Sequence, residues 1–259
     1  MNCNDYKSNT YSCGGEDGII EFLLTKIEPR LINFVIEFGA ADGFHCSNTA
    51  KLWKDGVNCD ALLIESDLDL YHKLVENTNA YERVVRQNEF VVNIDDFTTR
   101  VADVCSIDVD GNDYHIAERM QTPHKIVIIE HNPTIPPHVE MVGIEGTMYG
   151  SSAKSIDRLM TAKGYTLVAV TKTNMIFLYG DHRDEFVSDL DVLFDRSSLN
   201  YVVTSYDGIY DYIGEFGYGF SRPGNLRLHG GPLDKSPTLD AVSTEYFRQM
   251  VAITEGKNV

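Results

Sequence analysis

Residues 165–179 read YTLVAVTKTNMIFLY, and the fold is decided there. Two β-rich runs, 165–171 (YTLVAVT) and 175–179 (MIFLY), are separated by Lys172, Thr173 and Asn174 alone. So short a link cannot carry a crossover, so the two runs form an antiparallel hairpin. Toward the amino terminus, four apolar runs each close in a carboxylate or a glycine turn: 34–39 (FVIEFG), 61–65 (ALLIE), 104–108 (VCSID) and 125–130 (KIVIIE). Continuous apolar runs of this length suit strands buried on both faces of a parallel sheet. A weaker strand is expected at 89–92.

Between these runs, apolar residues recur at helical spacing over 47–55, 68–77, 113–120 and 153–163. A further helix leads the chain at 18–27 (GIIEFLLTKI), with Glu16 and Asp17 at its start and Pro29 after its end. Strands alternating with helices give a parallel sheet covered on both faces. The expected architecture is therefore α/β and Rossmann-like: a mostly parallel seven-stranded sheet ending in an antiparallel hairpin, with helices on both faces. An antiparallel final strand is the layout of Rossmann-like methyltransferases, whereas nicotinamide-binding Rossmann domains finish parallel.

The chain has 259 residues, 43% hydrophobic and 24% charged, enough to bury a core without a metal or disulfide staple. Residues 1–180 are expected to form the core, with a proline-rich loop inserted at 132–152. Residues 181–259 are expected to pack on it as an extension of the same domain. The 22 Lys and Arg against 39 Asp and Glu leave a net charge of −17, which repels phosphate backbones and argues against a nucleic-acid partner. Apolar runs are strand-sized, so no membrane span is expected. Five cysteines without C-x-x-C spacing, after a polar start at 1–10, point to a reducing cytoplasm. A homodimer is expected only from the commonness of symmetric dimers.

Ligands of open α/β sheets sit beyond the carboxyl ends of the strands, so the strand-end residues are the candidates. Gly39 and Gly43 let the chain turn sharply after the first strand, and Glu37 and Asp42 offer acceptors to an α-ammonium group. The Gly39-x-x-x-Gly43 spacing fails the G-x-G-x-x-G dinucleotide fingerprint. Glu65 closes the second strand, where a carboxylate can accept from both hydroxyls of a ribose. Asp108 and Asp110 end the next strand, with Glu130 and His131 on its neighbour. Parallel strands lie about 5 Å apart, so these four could converge to bind Mg²⁺ or Mn²⁺. Without a metal, Asp110 or His131 could serve as a general base. Asp113 is expected to cap the following helix. Trp53, Leu52 and Leu74 read as core, and His45, His72, His115 and His124 as surface or loop. The aromatic stretch 206–220 (YDGIYDYIGEFGYGF) suits either sugar stacking or a hairpin, and 132–152 with 206–231 are candidate acceptor walls.

Taken in order, Gly15-Glu16-Asp17-Gly18-Ile19-Ile20, Val35-Ile36-Glu37-Phe38-Gly39-Ala40 with Asp42-Gly43, and Ser47-Asn48-Thr49 resemble a known family, as do Leu63-Ile64-Glu65, residues 106–114 (SIDVDGNDY) and 127–132 (VIIEHN). Over about residues 15–180 the chain looks like the FkbM-type group of class I S-adenosylmethionine-dependent methyltransferases. The resemblance implies S-adenosylmethionine as cofactor, with Glu37, Gly39 and Asp42 around its methionine half and Glu65 at the ribose. It further implies Glu89 and Phe90 near the adenine and Asn48 near the carboxylate; Gly43 and Asp108 complete the expected cofactor set. Asp108 and Asp110 followed by Glu130 and His131 are also similar to metal-dependent sugar O-methyltransferases, except that His131 stands where an acid is common. The expected activity is O-methylation of a sugar or other small polar metabolite, with Asp110, His131 and Asp108 as candidate catalytic residues. The alternatives are a nicotinamide-dependent oxidoreductase and a catalytically inactive binding domain of the same fold.

Overall fold

The computed structural model describes residues 1–26, 32–55 and 58–196, and beyond them the backbone of three short strands at 201–204, 209–213 and 231–232. Pro29 and most of 206–231, which carried two of the expectations above, lie outside the described residues.

Seven strands form the main sheet: β1 (Phe34–Phe38), β2 (Asp60–Ile64), β3 (Val84–Gln87), β4 (Val104–Ile107), β5 (Ile126–Glu130), β6 (Tyr165–Val170) and β7 (Asn174–Tyr179). Their order is β3-β2-β1-β4-β5-β7-β6, with β7 antiparallel to both of its neighbours and the other pairs parallel. This is the Rossmann-like sheet, mostly parallel and ending in an antiparallel hairpin, that the stretch 165–179 predicts. The weak strand falls elsewhere than expected: β3 is 84–87, and 89–92 is irregular chain beyond its end. Val84 pairs with Ala61 and is buried, whereas Phe90 and Val92 are exposed and meet no facing strand.

Side-chain alternation along each strand splits the core in two. Phe34, Ile36 and Phe38 face the layer built by α4 (Asp113–Arg119), α5 (Ala153–Ala162) and α6 (Leu190–Leu193). Val35 faces the layer of α1 (Glu16–Leu24), α2 (Ala50–Asp55) and α3 (Leu68–Thr78), where Leu52, Trp53 and Leu74 are core as expected. The histidines divide: His45 is exposed, but His124 is fully buried, its Nδ1 accepting from the Ala102 amide at 3.0 Å. Among the described residues no helix is long and apolar enough to cross a membrane.

After β7, α6 is followed by a small antiparallel sheet of order β10-β9-β8, from β8 (Tyr201–Thr204), β9 (Ile209–Ile213) and β10 (Gly231–Pro232). The extension 181–259 therefore contains a hairpin, β8 with β9. One covalent feature departs from the expectation of a reducing compartment, because Cys13 and Cys46 are joined in a disulfide. Disulfides persist where the surroundings are oxidising or the bond is regulatory. Cys3, Cys59 and Cys105 are free and buried.

Candidate functional site

Strand order reverses between β1 and β4, and the carboxyl ends of β1, β2 and β4 open there into a cavity of about 600 Å³. Gly39, Ala41, His45 and Cys46 line it after β1, and Glu65, Ser66 and Asp67 after β2. Glu89, Phe90 and Val91 follow from the chain after β3, and Asp108, Val109, Asp110 and Asn112 from the chain after β4. Because 89–92 does not pair as a strand, it is free to turn across the cavity mouth, and Phe90 stands 64% exposed there. Five acidic side chains line the cavity (Glu65, Asp67, Glu89, Asp108, Asp110), and among the described residues no Lys or Arg does.

The floor is set by backbone contact. Gly39 has φ +79°, and a Cβ at that position would meet the Asp108 carbonyl oxygen at 1.7 Å. Its amide and that of Ala40 both donate to the Ile64 carbonyl at 3.0 Å, tying the end of β1 to β2. Glu65 then reaches back: Oε2 accepts from the Ala41 amide and Oε1 from the Asp67 amide, each at 2.8 Å. Each oxygen retains a lone pair toward the cavity, so ribose hydroxyls fit as further donors.

Asp110 holds the left-handed conformation at φ +57°, which Asp adopts more readily than most residues, and is exposed. The turn is pinned by Asp113, whose carboxylate accepts from the Val109 amide (2.8 Å) and the Gly111 amide (2.9 Å). Asp113 is thus the first residue of α4 and a tie for the preceding turn, not the cap; that position belongs to Asn112. Burial pushes the Asp113 carboxyl up to about 6 despite those two amides. Asn112 Oδ1 accepts from the Gly146 amide at 2.8 Å, so the inserted loop 132–152 is fastened to the cavity wall. The Arg119 to Glu145 ion pair, at 2.7 Å, fastens it again to α4.

The remaining sequence-derived candidates lie outside the cavity lining. Glu37 is buried beneath it, accepting from Ser47 Oγ (2.6 Å), Thr49 Oγ1 (2.6 Å) and the Asn48 amide (2.7 Å). Burial raises its pKa even against these bonds. Asn48 is buried too, its Nδ2 donating to Ser106 Oγ at 3.0 Å. Asp42 folds onto its own turn, accepting from the Phe44 and His45 amides at 3.0 and 2.8 Å. Burial opposes its ionisation, but those amides prevail and hold it below the usual range. Gly43, at φ +90°, abuts α3, where a Cβ would meet Leu74 and Thr78.

Glu130 and Asp108 are hydrogen-bonded to each other, and burial raises both, Asp108 to about 8 with Asp113 and Asp110 adding repulsion. Both carboxyl groups therefore keep a proton at neutral pH, and Glu130 donates its own to Asp108. His131 is buried with neither ring nitrogen hydrogen-bonded; its ring lies 5.6 Å from that of Phe194, and burial pushes it down to about 4. Asp108 and Glu130 therefore meet, but His131 is turned to Phe194, and the four expected ligands, Asp110 included, do not assemble into one metal-holding set. Among the described residues no three His, Cys, Asp or Glu side chains are placed to hold a metal ion. This donor set does not fit a divalent cation.

Sequence reading missed Ser66, Asp67, His45, Cys46 and Asn112 as lining residues. Asp67 had a signal: it precedes an apolar-periodic run, and it caps α3 by accepting from the Leu70 amide. The pairing of Cys13 with Cys46 had none.

No protein-family model and no curated protein matches the sequence. Among solved structures, the chain is similar to an O-methyltransferase family protein from Burkholderia thailandensis, with 12% identity and a TM-score of 0.42, covering 64% of this chain and 58% of that one. It is similar to precorrin-6y C5,15-methyltransferase from Geobacter metallireducens, with 10% identity and a TM-score of 0.42, covering 69% and 94%. It is similar also to magnesium protoporphyrin IX methyltransferase from Synechocystis, determined with bound SAH, with 11% identity and a TM-score of 0.42, covering 64% and 81%. The chain thus spans little more than half of the Burkholderia protein. The fold class rests on strand order and direction in the chain itself.

Proposed function

We propose that this chain is an S-adenosylmethionine-dependent O-methyltransferase of the FkbM type, acting on a hydroxyl of a sugar or other small polar metabolite. The observation that supports it is the acidic lining of the cavity at the point where strand order reverses: Glu65, Asp67, Glu89 and Asp110, beside a protonated Asp108, with no Lys or Arg among the described lining residues. S-adenosylmethionine carries a sulfonium and an ammonium and no phosphate, so it suits such a cavity. A nicotinamide dinucleotide carries two phosphates and would meet like charge.

In this reading Glu65 holds the ribose hydroxyls, Phe90 covers the adenine, and Gly39 permits close approach of the methionine half. When bound, the cofactor supplies an electrophilic methyl group. Asp110, exposed on the opposite wall, takes the acceptor hydroxyl's proton. Most of the rate enhancement comes from orientation of the two reactants, worth up to about 7–11 kcal/mol in well-aligned cases. Isothermal titration with S-adenosylmethionine and with its demethylated product tests this. Binding of both, weakened about 10- to 100-fold in Glu65→Gln, is expected from loss of a charged acceptor. No binding at millimolar ligand would sink the proposal.

A further inference from the structure

The Cys13–Cys46 disulfide stands at the mouth of the cavity. Cys46 lines the cavity, and both cysteines are exposed. The two segments it joins are otherwise independent in sequence. Residues 10–12 are gathered by Asp17, whose Oδ2 accepts from the amides of Thr10, Tyr11 and Ser12 at 2.7, 2.7 and 2.9 Å. The segment around Cys46 is held on either side, by Asp42 at Phe44 and His45 and by Glu37 at Ser47, Asn48 and Thr49. The Cys46 backbone makes no hydrogen bond to another backbone group among the described residues, and it adopts φ +53°. That is the left-handed region, which a cysteine avoids without an outside constraint.

We propose that the Cys13–Cys46 disulfide is a thiol-exchange site that holds the His45–Cys46 wall of the cavity in its ligand-binding shape, so that reduction weakens cofactor binding. The proposal rests on the cofactor reading above. In the exchange, one thiolate of a dithiol reductant attacks one cysteine sulfur and expels the other as a thiolate, and the reductant's second thiolate then attacks the reductant's sulfur in the mixed disulfide and expels the remaining cysteine thiolate. The reductant ends as a disulfide, and two electrons and two protons pass to Cys13 and Cys46, leaving two thiols. Exposure makes both sulfurs reachable, whereas the three free cysteines are buried. Once released, Cys46 leaves the left-handed region for most of the time, and the apparent affinity falls with the fraction of chains still holding it. A left-handed penalty of about 1.4 kcal/mol corresponds to a tenfold loss.

The test uses the full chain, oxidised and after dithiothreitol, with the disulfide counted by intact mass and by iodoacetamide labelling. Affinity for S-adenosylmethionine should fall about tenfold on reduction. Cys13→Ser should show the weak affinity with or without reductant. Cys13→Ser/Cys46→Gly should recover the tight affinity without any disulfide, since glycine holds positive φ at no cost. Equal affinity in the oxidised and reduced states, or no recovery with glycine, overturns the proposal. Hydrogen exchange over 41–49 is measured alongside and should rise on reduction. If neither state binds ligand, the cofactor reading fails and exchange alone decides: unchanged protection over 41–49 overturns the clasp.

Discussion

Gly39 and Asp108 touch backbone to backbone: a single Cβ on Gly39 would stand 1.7 Å from the Asp108 carbonyl oxygen. The two residues directly follow adjacent parallel strands, β1 and β4, on either side of the reversal in strand order. Their contact forms the floor on which any ligand must rest.

Gly39→Ala must therefore move one of the two strand ends, and it also forces a side chain into φ +79°. The expected cost is about 3 kcal/mol of stability, in the range of strained and overpacked positions, together with at least a tenfold loss of cofactor affinity. Urea denaturation and calorimetric titration measure the two losses. Wild-type values for both would contradict the contact.

Glu37 gathers three donors beneath the cavity, and Glu37→Ala strands all of them in a dry site. An unsatisfied buried donor costs about 1–3 kcal/mol, so a loss of roughly 3 kcal/mol or more is expected. Its signature is destabilisation first, seen as a lower urea midpoint, with the loop 47–49 exchanging amide hydrogens faster. A variant as stable as wild type would show that the three donors have other partners.

The Asp108 carboxyl is raised to about 8 in the folded chain, by burial first and then by Asp113 and Asp110, against an ordinary value of 3.8. Between those values the native state keeps a proton that the unfolded chain has lost. The native state is therefore favoured most at low pH, and this contribution drains away as pH rises toward 8. Asp108→Asn removes the titration, so the variant should gain on wild type in denaturant midpoint from pH 5 to pH 8.5. Parallel curves would contradict it.

His131 has the opposite sign. Burial lowers its imidazole from 6.5 to about 4, so the unfolded chain takes up a proton that the native state refuses. Its contribution is complete above pH 6.5 and is lost as pH falls toward 4. Relative to wild type, His131→Leu should be at least as stable at pH 7.5, since two unpartnered ring nitrogens are gone. By pH 5 it should be ahead by about 2 kcal/mol. A variant less stable at both pH values would mean the ring nitrogens are paired.

The strand and helix pattern was legible because it is local. Each buried strand wrote itself as an apolar run, each helix as a 3.6-residue period, and the three-residue link after Thr171 left the last strand no direction but antiparallel. The stretch at 89–92 misled because Phe90, Val91 and Val92 have strand-like side chains. Nothing local says that the partner strand, β2, has already ended at Ile64, which pairs with Gln87.

Local pattern along the chain specified the strand ends and the acids that close them. Tertiary structure alone decided which of those acids meet in a cavity. Glu37 follows Val35 onto the α1–α3 face by strand alternation and meets Ser47 and Thr49 there. Glu130 ends the strand beyond β4 and bonds Asp108, while His131 packs against Phe194 from a segment 63 positions later in the chain. Asp108, Asp110 and Glu65 stay at the cavity because β4 and β2 both border β1, where the strand order turns. The meeting of Cys13 with Cys46 belongs to the same class of fact. Side-chain direction and strand adjacency are properties of the assembled sheet, and no spacing within one segment encodes them.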